Sequence, residues 1–148
     1  MYWFMRRLLL EWPVGYQSKW DNIMMNAAKR VLLVEDFEDS RFSLSKLLEI
    51  EGYEVLEATD GQQAVNLALD AKPDLILMDL SLPVIDGLSA TRQIRQHESM
   101  HQIPIIALSA HDMVDYQAMA KDAGCNEFVM KPVDFESLIT VMSKYLPA

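Results

Sequence analysis

The chain has a single cysteine, Cys125, among its 148 residues. An internal disulfide and a cysteine-based metal cluster are therefore both excluded. A reducing compartment is the simplest setting, and a cytoplasmic location is expected. Cations are also scarce. Lys and Arg total 13 against 22 Asp and Glu, for a net charge of −9. Binding nucleic acid or an anionic membrane needs clustered Lys and Arg, so neither is expected as the main function. No stretch approaches the roughly 20 uninterrupted apolar residues of a membrane span. The chain also lacks internal repeats and low-complexity tracts. Apolar residues are not lacking. They make up 51% of the chain, which argues against wholesale disorder and for one domain with a real core.

Residues 1–28 differ from the rest. Tyr2, Trp3, Phe4, Met5, Leu8, Leu9, Leu10 and Trp12 crowd together before Pro13. On a helix, Arg6, Arg7 and Glu11 would share an arc of about 140°. That pattern fits a short anchor for a membrane or a partner. It also fits adventitious residues upstream of Met24 and Met25, the reading preferred here. The apolar run after the arginines is too short for a secretory signal. Residues 1–28 are thus expected to be an N-terminal extension, disordered or adventitious, and residues 29–148 a single domain. The extension carries a net +1, leaving −10 for the domain.

From Lys29 onward, apolar strands alternate with helical patterns. Strands are predicted at residues 31–34, 53–58, 75–78, 105–108 and 127–130. The first helix, capped by Asp39 or Ser40, runs to Glu51, with Phe42, Leu47, Leu48 and Ile50 on its inner face. The second follows Asp60-Gly61 and turns Ala64, Leu67, Ala68 and Ala71 inward. The third spans residues 88–97. Asp112 caps a fourth, ending at Ala123, and Asp134 caps a fifth with Leu138, Ile139, Val141 and Met142 inward. Such alternation implies a parallel sheet with helices on both faces. After the fifth helix no DNA-binding or enzymatic output domain is expected.

Four strands end on polar residues that one sheet edge would gather. They are Glu35 and Asp36, then Asp79, Ser109 and Lys131, at steps of 43, 30 and 22 residues from Asp36 onward. Crowded carboxylates repel unless a cation intervenes. Mg²⁺ suits such oxygen ligands. Asp36 and Asp79 are the expected direct ligands, with Glu35 acting through water. An aspartate can also attack phosphorus to form an acyl phosphate.

The segment LILMDLSLPVIDG, from Leu75 to Gly87, resembles the phosphoacceptor strand and loop of the receiver domain of two-component response regulators. Together with the other strand ends, the resemblance extends over about residues 29–147. It implies a flavodoxin-like (βα)5 fold with a doubly wound five-stranded parallel sheet in order 2-1-3-4-5. A stand-alone, chemotaxis-regulator-like signalling module is implied rather than an enzyme, with only self-phosphorylation and autodephosphorylation chemistry of its own. The resemblance assigns Asp79 as phosphoacceptor, Glu35 and Asp36 as the acidic pair, and Lys131 as the lysine before proline. Ser109 becomes the switch hydroxyl and Phe128 the switch aromatic. The backbone carbonyl of Ser81 completes the Mg²⁺ site, and the Lys131–Pro132 bond is expected cis. Implied partners are a histidine kinase or histidine phosphotransfer protein and a downstream protein target, with phosphorylation-dependent homodimerisation open. Departures are small: Glu at 35 for the usual Asp, Leu82 where Met is common, and Ser109 for Thr.

Singly, Asp79 would suit a loop cap, Lys131 a solvated charge, and Phe128 the core. Their joint order favours a site. The alternative is a Mg²⁺-dependent small-molecule phosphatase or phosphotransferase working through an aspartyl phosphate. Dehalogenase-like phosphatases place a second Asp where this chain has Ser81. A flavin site is disfavoured because Glu35-Asp36 would repel phosphate. His97, His101 and His111 lack ligand spacing and are expected at the surface.

Overall fold

Five short apolar runs can each bury both faces only within a sheet covered on both sides. The computed structural model describes residues 28–111 and 114–147 and shows this arrangement. In chain order the elements are β1 (Arg30–Val34), α1 (Glu38–Ile50), β2 (Glu54–Ala58), α2 (Gly61–Ala71), β3 (Leu75–Asp79) and α3 (Gly87–Arg95). A 3-10 turn (Glu98–Met100), β4 (Ile105–Ser109), α4 (Val114–Ala123), β5 (Glu127–Met130) and α5 (Phe135–Ser143) follow. The strands run parallel in the order β2-β1-β3-β4-β5. This is the flavodoxin-like order expected. The expected extension lies, up to residue 27, outside the described residues, as does the expected cap Asp112.

The period-2 alternation of the strands divides the core. Leu32, Val34, Ile76, Met78 and Ala107 point to one side and pack with Ala64, Ala68, Ile94 and Ala120 of α2, α3 and α4. Val31, Leu33, Leu75, Leu77 and Leu108 point to the other and meet Leu48 of α1 and Leu138 and Met142 of α5. Among the described residues, side-chain caps start three helices. Asp60 accepts from the Gln63 amide (2.8 Å), Asp86 from Ser89 (2.8 Å), and Asp134 from Ser137 (3.1 Å).

The first helix departs from expectation in two ways. It begins earlier, with Phe37 at the cap position and no side-chain cap, so Asp39 and Ser40 lie inside its first turn. There the acidic Glu38 and Asp39 complement the helix dipole. Its inner face also differs. Leu48 and Ser45 are buried, whereas Phe42, Leu47 and Ile50 are 62%, 40% and 80% exposed. At 100° per residue, Phe42 and Ile50 lie about 120° and 160° from Leu48, too far round to share its face. In α2, Ala64 and Ala68 are buried as expected, but Gly61 and Val65 complete the face, with Leu67 only half-buried.

Candidate functional site

Parallel strands deliver their C-terminal ends to one edge, where open α/β sheets place their sites. Val34 of β1 leads directly into Glu35 and Asp36. Asp79 closes β3, Ser109 closes β4, and Lys131 follows β5. Register locks these ends together: Val34 pairs with Met78, Asp79 with Leu108, and Ser109 with Met130. Glu35, Asp79 and Ser109 are buried at 4%, 3% and 1% exposure, while Asp36 is exposed.

Buried carboxylates need partners. The Lys131 ammonium donates to Glu35 Oε2 at 2.6 Å and to Asp79 Oδ2 at 2.9 Å. The Ser81 amide donates to Asp79 Oδ1 (2.9 Å), and the Phe37 amide to Glu35 Oε1 (3.1 Å). Each carboxylate is thus held by one ammonium and one backbone N–H. Burial, reinforced by the charge of Asp79, pushes the Glu35 carboxyl above its ordinary value, although Lys131 and the Phe37 amide oppose the shift. Burial is also the largest single influence on Lys131 and acts to lower it. The hydrogen bonds and charges of Glu35 and Asp79 outweigh it, so the ammonium is held more firmly than usual.

Oxygens of Glu35, Asp36 and Asp79 all lie within 4.8 Å of one another. Three hard oxygen donors so close, with one lysine as counter-charge, fit a small divalent cation. The Lys131–Pro132 bond is cis, as expected. Ser109 Oγ accepts from the His111 amide at 3.1 Å. Phe128 is half-buried and lines a cavity of about 620 Å³ with Val114, Ala120 and Lys121 of α4. Lys131 bonds Glu35 and Asp79, Asp36 offers an oxygen close to both carboxylates, and the Ser81 amide bonds Asp79. Ser109 ends the adjacent strand β4, and Phe128 sits on the α4 side. His97, His101 and His111 are exposed, and the His111 ring stacks on Tyr116 with centroids 4.9 Å apart.

Two contributors escaped sequence reasoning. Arg41 donates from α1 to the carbonyls of Glu35 (3.1 Å) and Asp36 (3.4 Å), fixing the acidic loop. An arginine one turn into a helix carries no signal of that role. Gly87 packs on the end of β3 so tightly that an added Cβ would sit 2.1 Å from the Asp79 carbonyl oxygen. The Asp-Gly pair was visible as a turn, but its close approach was not.

Among the described residues no helix is long and apolar enough to cross a membrane. A family model described as response regulator receiver domain matches residues 31–143. The polar-differentiation response regulator DivK of Brucella anthropi is 34% identical over 118 residues, covering 80% of this chain and 96% of that protein. The receiver domain of a sensor histidine kinase from Pseudomonas aeruginosa was solved with a magnesium ion coordinated in its active site cleft. It matches at TM-score 0.77 and 37% identity, covering 82% of this chain and 100% of its own. The chemotaxis response regulator CheY4 of Vibrio cholerae matches at TM-score 0.76 and 28% identity, over 80% of this chain and 98% of its own.

Proposed function

The chain belongs to the response regulator receiver domain family, and on that premise we propose that Asp79 accepts a phosphoryl group from a histidine kinase or histidine phosphotransfer protein. The observation that carries this reading is the Lys131 ammonium, held between Glu35 and Asp79 at the sheet edge. An Asp79 carboxylate oxygen forms the new bond to phosphorus while the bond from phosphorus to the donor imidazole nitrogen breaks. The bonding electrons leave with the imidazole, and an acyl phosphate remains. Such transfer depends mainly on positioning and charge neutralisation. Lys131 supplies one positive charge, and Glu35 keeps it aimed at the phosphoryl oxygens. Asp36, Asp79 and the Ser81 carbonyl would hold Mg²⁺ directly, with Glu35 acting through water. Bound there, the cation neutralises the remaining charge on the transferring group.

Ser109 carries the message outward. A phosphoryl oxygen offers its hydroxyl a new acceptor, and its movement draws along the His111 amide bonded to it. Phe128 lines the groove between β5 and α4, and in this reading its ring turns inward as Ser109 moves. Both arrangements pre-exist, and phosphorylation shifts their populations. The face of α4, β5 and α5 is then the output surface, for a downstream protein target or a second phosphorylated copy. In this reading residues 29–148 form the domain, residues 1–28 are not needed for its chemistry, and the protein works in the cytoplasm.

Intact mass after incubation with Mg²⁺ and a small phosphodonor tests the proposal. One labile phosphoryl group should appear, and Asp79→Asn should abolish it. Ser109→Ala should still take up phosphate but lose the phosphate-dependent gain in partner binding. Sustained turnover of many phosphomonoesters would instead favour the phosphatase alternative.

A further inference from the structure

Asp36 and Asp79 are held at the sheet edge by different means. Asp79 closes β3 and is buried, with Lys131 and the Ser81 amide on its two oxygens. Asp36 is exposed on the loop between β1 and α1, and its carboxylate meets no donor among the described residues. The hydrogen bond that ties it to the fold is made by its carbonyl. The helix that follows adds no hold, since Phe37 at the cap position makes no side-chain cap. Arg41 provides it from within α1. Its Nη1 donates to the Glu35 carbonyl (3.1 Å) and to the Asp36 carbonyl (3.4 Å). Its Nε lies 3.6 Å from Glu57 Oε1 on β2. Glu57 pairs in register with Leu33 of β1, so this end of the guanidinium is referred to the sheet itself. The Arg41 side chain is 18% exposed, and its planar fork loses little freedom per hydrogen bond formed.

We propose that Arg41 is a positioning residue for the divalent cation. It holds the Asp36 carbonyl so that the carboxylate stays where one ion can reach both it and Asp79. The inference rests on the reading that Asp36 and Asp79 bind Mg²⁺. Mg²⁺ demands near-ideal octahedral geometry, so a ligand that wanders costs affinity. Oxygens of Glu35, Asp36 and Asp79 lie within 4.8 Å of one another. Repulsion among them acts to push the exposed one, Asp36, outward, and the Arg41 contacts oppose it. Charge and geometry make opposite forecasts for this residue. A guanidinium beside the site repels a cation, so on charge alone its removal would tighten Mg²⁺ binding. Removal weakens binding only where the position it imposes on Asp36 matters more.

Titration of the full chain with Mg²⁺, followed by the amide resonances of Asp79 and Ser81, tests this. Arg41→Met keeps the stem of the side chain and removes its donors. Kd for Mg²⁺ should rise about 10-fold, the order of loss seen when the support of a metal ligand is removed. Arg41→Lys keeps the charge but not the fork that reaches Glu57 and both carbonyls at once, and should show the same loss in smaller measure. Gly52→Ala, just beyond the far end of α1, lowers stability without touching the loop and should leave Kd unchanged. An unchanged or lower Kd in both Arg41 variants would overturn the proposal. So would a rise of equal size in Gly52→Ala, since lost stability would then account for it. Asp36→Asn separates this inference from the site it rests on. If Asp36→Asn weakens Mg²⁺ binding and the Arg41 variants do not, the cation site stands and Arg41 has no part in it. If affinity does not depend on Asp36, both fall.

Discussion

Removing the Lys131 ammonium leaves Glu35 and Asp79 facing each other, both buried, with only a backbone N–H apiece. An uncompensated buried charge is strongly destabilising, and the partly open cleft moderates the effect. Lys131→Ala should therefore cost about 1–3 kcal/mol in chelator, read from urea midpoints. A variant as stable as the parent would mean that the ammonium does not hold the two carboxylates. A second residue contributes to alkaline behaviour. Burial raises the Cys125 thiol above its ordinary value of 9.0, while contact with Thr91 and the charge of Arg95 oppose the shift. The folded state then keeps its proton where the unfolded chain has lost it. The stability due to this group is intact below pH 9 and falls as pH rises toward the higher folded value. Cys125→Ala should flatten the decline above pH 9, as followed by denaturant midpoints at stepped pH.

At the scale of elements, the junction of β3 and α3 controls the geometry of Asp79. A Cβ at Gly87 would meet the Asp79 carbonyl oxygen at 2.1 Å and the Leu80 Cα at 2.7 Å. These are backbone atoms and cannot swing aside. Gly87→Ala should cost about 1–3 kcal/mol and weaken Mg²⁺ binding, because relief requires moving the end of β3. Gly52 provides the contrast. It has φ of +97° and open space around its missing Cβ. Gly52→Ala should cost about 1 kcal/mol through backbone strain and leave Mg²⁺ affinity unchanged. Equal loss of metal binding in both variants would show that stability, and not the position of β3, sets affinity.

A cation held as proposed by Asp36 and Asp79 would act on the whole molecule through linkage. Binding to the folded state alone stabilises it by about 2.7 kcal/mol when free Mg²⁺ is 100 times Kd. Thermal unfolding should therefore rise with Mg²⁺ in the parent and much less in Asp36→Asn. In chelator the order reverses. Asp36 lies within 4.8 Å of two other carboxylates, so neutralising it relieves repulsion, adds up to about 1 kcal/mol of stability for an exposed group and should raise Tm. A lower Tm for Asp36→Asn in chelator would show that the three carboxylates do not repel in the free protein.

The sequence alone determined the alternation of elements, because each strand is a short apolar run bounded by turn residues and each helix has its own period. It also determined which residues stand at the strand ends. Parallel topology then brings Glu35, Asp36, Asp79, Ser109 and Lys131 together without further information. The outward face of α1 was illegible in sequence, since Phe42, Leu47, Leu48 and Ile50 surround the helix and only the sheet's position selects Leu48 for burial. Two further features were decided by tertiary structure. Glu35 and Lys131 lie 96 residues apart in sequence, and their 2.6 Å contact depends on where β1 and β5 come to rest. The closeness of Gly87 to Asp79 depends on how α3 packs against β3. Local pattern specifies what an element is, whereas contacts between distant residues follow from packing, which single-residue propensities do not encode.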